Sequence, residues 1–283
     1  MGGSKREDWL MKTLLFNVEQ GEHLSDHIAV VLAIAEKYSS HLIASHITPL
    51  LSNYIPYSQG YFVADSYINT VVEQWTEIAK ETRHAFETHW PDPGPPWEWA
   101  EEMGSAAAIL GEQARRADLT IISIDNRELP SGKNAWALAS DITIANGLPV
   151  LALPTKCSAP LGSEAALIAW DGSLQASHAV RHALPMLKAA SKVIVVEVGE
   201  NNPKELPGLD IAPYLVRHGL KVSTLNRIPE GSIAQELLDV AHSYRAEFIV
   251  MGAYGHMRLR EFIFGGVTRE ILQKSDIPLF ICN

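Results

Sequence analysis

The sequence predicts an α/β protein made of two tandem, doubly wound domains, each with a five-stranded parallel sheet. Three observations carry that expectation. At 283 residues the chain is about twice the ~150 residues of an average domain. Short apolar runs alternate with longer stretches whose apolar residues recur every three or four positions, as βαβ units require. One four-part pattern also occurs twice, roughly over 10–155 and again over 163–283.

Each copy opens with an apolar strand, Thr13–Asn17 and Ala166–Trp170, followed by a polar turn and an amphipathic helix. A second strand follows at His41–Ser45 and at Lys192–Glu197. Gly104-Ser105 and Gly231-Ser232 mark helix starts, where small and hydroxyl residues satisfy free amides. Those helices lead into Ala117–Ile122 and Ala246–Met251, apolar without alternation, as in strands covered on both faces. A final helix and a strand entered through proline, Leu148–Leu153 and Ile277–Ile281, close each copy. From 117 to 153 the copies align without a gap at an offset of 129. The middle is unequal. Residues 48–103 hold Tyr54, Tyr57, Tyr61, Tyr67, Trp75, Trp90, Trp97 and Trp99, with a helix predicted near 66–90, whereas the second copy spends only 199–221 there. The linker falls around 154–162.

Composition narrows the function classes. With 47% apolar residues there is material for two cores, and a net charge of -10 disfavours nucleic acid or an anionic membrane as the main partner. The charge is uneven: residues 1–155 carry 10 basic and 20 acidic side chains, residues 156–283 carry 13 of each. No apolar run reaches 18 residues and the first residues are polar, so the expected address is the cytoplasm. Cys157 and Cys282 sit in no CxxC or zinc spacing and read as reduced thiols.

Two features of the second copy fall where open α/β sheets bind ligands, beyond the carboxyl ends of strands at the point where strand order reverses. Trp170-Asp171-Gly172-Ser173 puts a short acid at a strand end, able to accept hydrogen bonds from a ribose hydroxyl or base amine; it also reads as a plain Asp-Gly turn with Ser173 capping a helix. Met251-Gly252-Ala253-Tyr254-Gly255, nine further residues, then Gly265-Gly266-Val267-Thr268 opening the last helix, read as a phosphate cradle of free amides at a helix N-terminus. Arg258, Arg260 and Arg269 read as surface charges. A Walker A loop is excluded, since Gly132-Lys133 is followed by Asn134, and no GxGxxG follows a strand.

With these residues in view the chain resembles the universal stress protein family in its tandem form. The family's ATP-binding members carry Gly, two residues, Gly, nine residues, Gly, then a hydroxyl or amide residue; Gly252, Gly255 and Gly265 match, and Gly266 departs at the hydroxyl position. The resemblance implies a Rossmann-like fold of the adenine nucleotide alpha hydrolase kind. It also implies ATP or another adenine nucleotide, with magnesium, at a site drawn from Ala169, Trp170, Asp171, Gly172, Val198, Met251, Gly252, Tyr254, Gly255, His256, Gly265, Gly266, Val267 and Thr268. In the first copy Ser123, Asn126 and Trp136 stand at the places of Gly252, Gly255 and Gly265, and Asn17-Val-Glu19 is read against Trp170-Asp-Gly172, so that copy is expected to lack the cradle.

His23/His27 and His178/His182 have the i, i+4 spacing of a metal pair but no third ligand, and read as surface histidines. The expected function is a stress-response module regulated by an adenine nucleotide, at most a slow ATPase. No nucleophile–base pair, metal cluster or lysine-bearing P-loop stands out. The competing reading is a nucleotide-independent binder of a small apolar ligand or a protein through the aromatic insertion. Pairing of the chain as a homodimer stays open.

Overall fold

The computed structural model describes residues 11–50, 65–124, 135–157, 161, 163–198, 210–254 and 266–283. Ten strands form one sheet in the order β3-β2-β1-β4-β5-β10-β9-β6-β7-β8. Along the first half run β1 (Thr13–Asn17), α1 (Leu24–Tyr38), β2 (His41–Thr48), α2 (Asp65–His89), β3 (Trp97–Met103), α3 (Ala106–Ala114), β4 (Leu119–Ile124), α4 (Ala135–Asn146) and β5 (Val150–Pro154). The second half repeats the order with β6 (Ala165–Ala169), α5 (Leu174–Ala189), β7 (Lys192–Val198), α6 (Ala212–Arg217), β8 (Val222–Arg227), α7 (Ile233–Ser243), β9 (Ala246–Gly252), α8 (Gly266–Lys274) and β10 (Leu279–Cys282). Every described strand pair is parallel except β5 with β10.

The fold class is therefore as expected, with one addition: the two five-stranded sheets are a single sheet. Their edge strands meet antiparallel, Val150 opposite Ile281, Leu151 opposite Phe280 and Ala152 opposite Leu279. Leu151 and Phe280 differ by 129, so the residues that face each other here are each other's counterparts and the seam lies on a local twofold. Joining the edges removes two rows of unpaired backbone groups that would otherwise invite other strands.

Alternation along the strands divides the core. Leu14, Phe16, Ala166 and Ile168 pack under α1, α2, α5 and α6 on one face, while Leu15, Ile122, Leu167 and Ile249 pack under α3, α4, α7 and α8 on the other. β3 and β8, the outer strands, escaped the sequence reading because only one side of each is covered and their sequences WEWAEEM and VSTLNR are largely polar.

The described part of the aromatic insertion, α2 and β3, lies at the outer edge of the sheet, away from the seam. Phe86 of α2 stacks on Trp90 with ring centroids 5.3 Å apart and meets Trp97 edge-on at 4.9 Å. Phe86 is fully buried and Trp90 is 5% exposed. These rings cover the outermost strand of the first half, so they do not line a pocket between the halves; Tyr54, Tyr57 and Tyr61 lie outside the described residues.

Candidate functional site

β6 lies between β9 and β7, so the chain reverses direction across the sheet between β6 and β9. Ala169 at the end of β6 is level with Met251 on β9 and with Val196 on β7. The ends of these strands place Asp171, Val198 and Gly252 along one edge at that reversal, the position at which open α/β sheets bind ligands. Asp171 is exposed and its Oδ1 accepts from the Ser173 backbone amide at 2.9 Å. Gly172 has a φ of 75°, which a side chain would strain. Ser173 caps α5, its hydroxyl accepting from the Ala176 amide at 3.1 Å. The plain-turn features of this segment are thus present.

Gly252 answers to a packing constraint. A Cβ there would lie 2.4 Å from the Ala176 nitrogen and 2.7 Å from the Gln175 carbonyl carbon, both backbone atoms of the first turn of α5. Glycine at this position lets the helix sit directly against the end of β9. Gly252→Val therefore perturbs the packing of α5 and is no clean probe of ligand binding.

Tyr254 follows with a φ of 60° and is 8% exposed. Its side chain turns away from the cradle edge and across the seam, where its hydroxyl donates to Ser140 Oγ on α4. Burial, together with the neighbouring Asp141 charge, raises the phenol pKa, partly offset by the Ser140 hydrogen bond and Arg269. Only the backbone of Tyr254 remains for a ligand. Gly266, the first residue of α8, is exposed with no atom within 4 Å of a would-be Cβ, Val267 is half-buried, and Thr268 is 5% exposed. Buried Thr268 is poorly placed to replace the hydroxyl missing at 266. Gly255, His256 and Gly265, like Arg258 and Arg260, lie outside the described residues.

The first half differs at each of these points. β1 pairs Leu14 with Leu119 as β6 pairs Ala166 with Phe248, and these registers match Asn17 to Ala169 and Glu19 to Asp171. These registers shift the turn by one residue from the sequence alignment: the first half keeps an acid at the strand end, and Asn17 Nδ2 donates to it at 2.6 Å. Ser123 takes the place of Gly252. Its Oγ lies 2.8 Å from His27 Nδ1, and His27 Nε2 lies 2.9 Å from the Pro154 carbonyl. A carbonyl only accepts, so Nε2 carries the proton and Ser123 donates to Nδ1. Both ring nitrogens of buried His27 are occupied, which excludes the His23/His27 metal pair. Trp136, in the first turn of α4, packs beneath the Arg269 guanidinium of α8, 5.3 Å from its centroid; Arg269 is a seam contact as well as a surface charge.

His178 Nδ1 lies 3.2 Å from the Asn283 carbonyl, and partial burial beside His178 holds the His182 imidazole below its ordinary pKa. Among the described residues no group of three or more His, Cys, Asp or Glu could hold a metal. Burial pushes the thiols up, Cys157 to about 12 and Cys282 to about 11, so neither is a thiolate nucleophile at neutral pH. No helix among the described residues is long and apolar enough to cross a membrane.

Residues 217–283 match the model of the universal stress protein family. That match lies within the second half of the chain. A universal stress protein of Synechocystis is 27% identical over 117 residues, covering 40% of this chain and 40% of that protein. One of Methanocaldococcus jannaschii is 30% identical over 63 residues, 22% of this chain and 38% of that protein. The chain thus spans well under half the length of these curated relatives. A universal stress protein structure from Archaeoglobus fulgidus superposes with a TM-score of 0.72 at 16% identity over 97% of both chains, and one from Pseudomonas aeruginosa with 0.58 at 14% over 97% of this chain and 94% of that one. At those identities the shared property is the fold, and it extends over both halves.

Proposed function

We propose that the second half, residues 163–283, is a universal stress protein domain that binds ATP or a related adenine nucleotide, with magnesium, and acts as a regulatory module in a cytoplasmic stress response. The first half, 10–155, is its degenerate partner. The observation that carries this reading is the convergence of Asp171, Val198 and Gly252 on one edge at the reversal of strand order, with the Gly252…Gly266 segment leading from that edge into α8. In this reading Asp171 accepts from the ribose or base, Val198 and Met251 cover the base, and the amides from Gly252 to Thr268 hold the phosphates.

The first half supplies the contrast. Its acid is tied to Asn17, and a serine locked to His27 replaces the glycine at the end of β4. Titrating the whole chain with ATP by calorimetry tests the reading: one nucleotide per chain is expected, abolished by Gly265→Trp, which introduces the first half's own residue. Two nucleotides per chain, or unchanged affinity in the variant, overturns it.

A further inference from the structure

The crossover between the second and third strands differs sharply between the halves. In the first half it contains α2, 25 residues long, which lies along α1; in the second it contains α6, 6 residues long. The shorter helix leaves a groove between α5 and α6 of about 430 Å³, on the opposite face of the sheet from α7 and α8. Its floor is Trp170, 5% exposed, with Ile211 and Pro213 beside it. Its walls carry Ser177, Arg181, Tyr214 and Arg217.

The charges in this groove are unbalanced. Neither Arg181 nor Arg217 has a hydrogen bond or ion pair among the described residues, and neither has an acid three or four positions away on its own helix. The one acid of the lining, Asp210, spends Oδ1 on the Ala212 amide at 2.9 Å. Two guanidinium groups therefore share a concave apolar site with one carboxylate already engaged. In the first half buried Val18 stands where Trp170 does.

We propose that this groove is a second small-molecule site, separate from the glycine cradle, for a flat aromatic compound carrying a carboxylate or phosphate. The ring lies over Trp170 and the anionic group between Arg181 and Arg217, which present planar forks suited to either oxyanion. The volume matches a ligand at the small end of the usual range for such sites. Trp170 immediately precedes Asp171, so an occupant would rest against the turn that carries the acid of the proposed nucleotide site. The groove does not depend on that site being a nucleotide site.

Phenyl phosphate, benzoate and inorganic phosphate, each titrated into the full chain by calorimetry, test the proposal. Phenyl phosphate or benzoate is expected to bind with a dissociation constant at or below about 1 mM, at least tenfold tighter than inorganic phosphate. Affinity should fall at least tenfold in Arg181→Gln/Arg217→Gln, whose exposed positions keep the fold intact by circular dichroism, and in Ser177→Trp, which fills the groove. Gly265→Trp should leave it unchanged. Equal affinity for inorganic phosphate, retention in both groove variants, loss in Gly265→Trp, or displacement by ATP without effect of the arginine changes overturns the proposal. Failure of ATP to bind the wild-type chain overturns the nucleotide reading alone.

Discussion

At the strand end beside the reversal of strand order, the first half has Ser123 and the second Gly252, and the two positions are equivalent in register. In the first half the serine reaches His27 on α1, which in turn reaches the Pro154 carbonyl, and a buried polar chain closes the edge. In the second half the missing side chain lets the backbone of α5 come within 2.4 Å of where a Cβ would be. A single atom position thus decides whether the first turn of the following helix is held off by a side chain or lies against the strand. The same pair of halves diverges again at the crossover, where a long helix seals one face and a short one leaves it open.

The largest effect should come from breaking what joins the halves. Phe280 is fully buried on β10 opposite its counterpart Leu151. Phe280→Ala is expected to lower stability by about 3–5 kcal/mol, measured by urea unfolding. A single cooperative transition would mark the halves as one unit; two transitions, one unmoved by the substitution, would mean that the comparison is between independent modules.

Exchanging the residues themselves comes next. Gly252→Ser is expected to cost about 2–3 kcal/mol, because the obstructing atoms are backbone and cannot rotate away. Ser123→Gly should cost about 1–2 kcal/mol by leaving His27 Nδ1 without its donor. Equal costs in thermal or urea unfolding would show that α5 yields as readily as a side chain does, and the distinction drawn at this edge would be lost.

A gain is expected at Gly266. Open space surrounds a Cβ there and the position is exposed at the start of α8. Gly266→Ser should therefore fold at least as stably as the parent and tighten ATP binding about fivefold, one phosphate hydrogen bond's worth. No gain in calorimetric affinity would place the phosphates away from this helix start.

The smallest effect concerns pH. His182 lies next to Arg181 on α5. The His182 pKa is lowered in the folded chain from 6.5 by partial burial and by His178, so protonation favours the unfolded state. Its contribution to stability is full above pH 6.5 and is lost as pH falls below that through the folded-state value. His182 is exposed, so the slope should be shallow. His182→Leu should flatten it in unfolding curves taken between about pH 5 and 7; an unaltered slope would assign the acid sensitivity to other groups.

Much of the fold was legible in the residues. Continuous apolar runs such as Leu119–Ile124 mark strands covered on both faces, and the constant offset of 129 survives in the registers of β4, β5, β9 and β10. Legibility failed where a segment has only one apolar side or where spacing varies. β3 and β8 went unread because an edge strand needs few apolar residues. Glu19 was misplaced because the turn between β1 and α1 is longer than that between β6 and α5, and a sequence has no ruler across such a turn. Tyr254 and Trp170 stand where the sequence expects the cradle, but their side chains leave that edge, one toward Ser140 and the other toward the groove between α5 and α6.

By itself the sequence determined the class, the duplication, the asymmetry of charge and the positions of the glycines, because these depend on local preference and on periodicity along the chain. Only the tertiary structure decided that the two sheets are one, that Gly252 serves helix packing, that His27 is committed to Ser123 and Pro154, and that Arg181 and Arg217 share a groove. Each of those pairs residues far apart in the chain, and such contacts are fixed by how whole elements pack against one another.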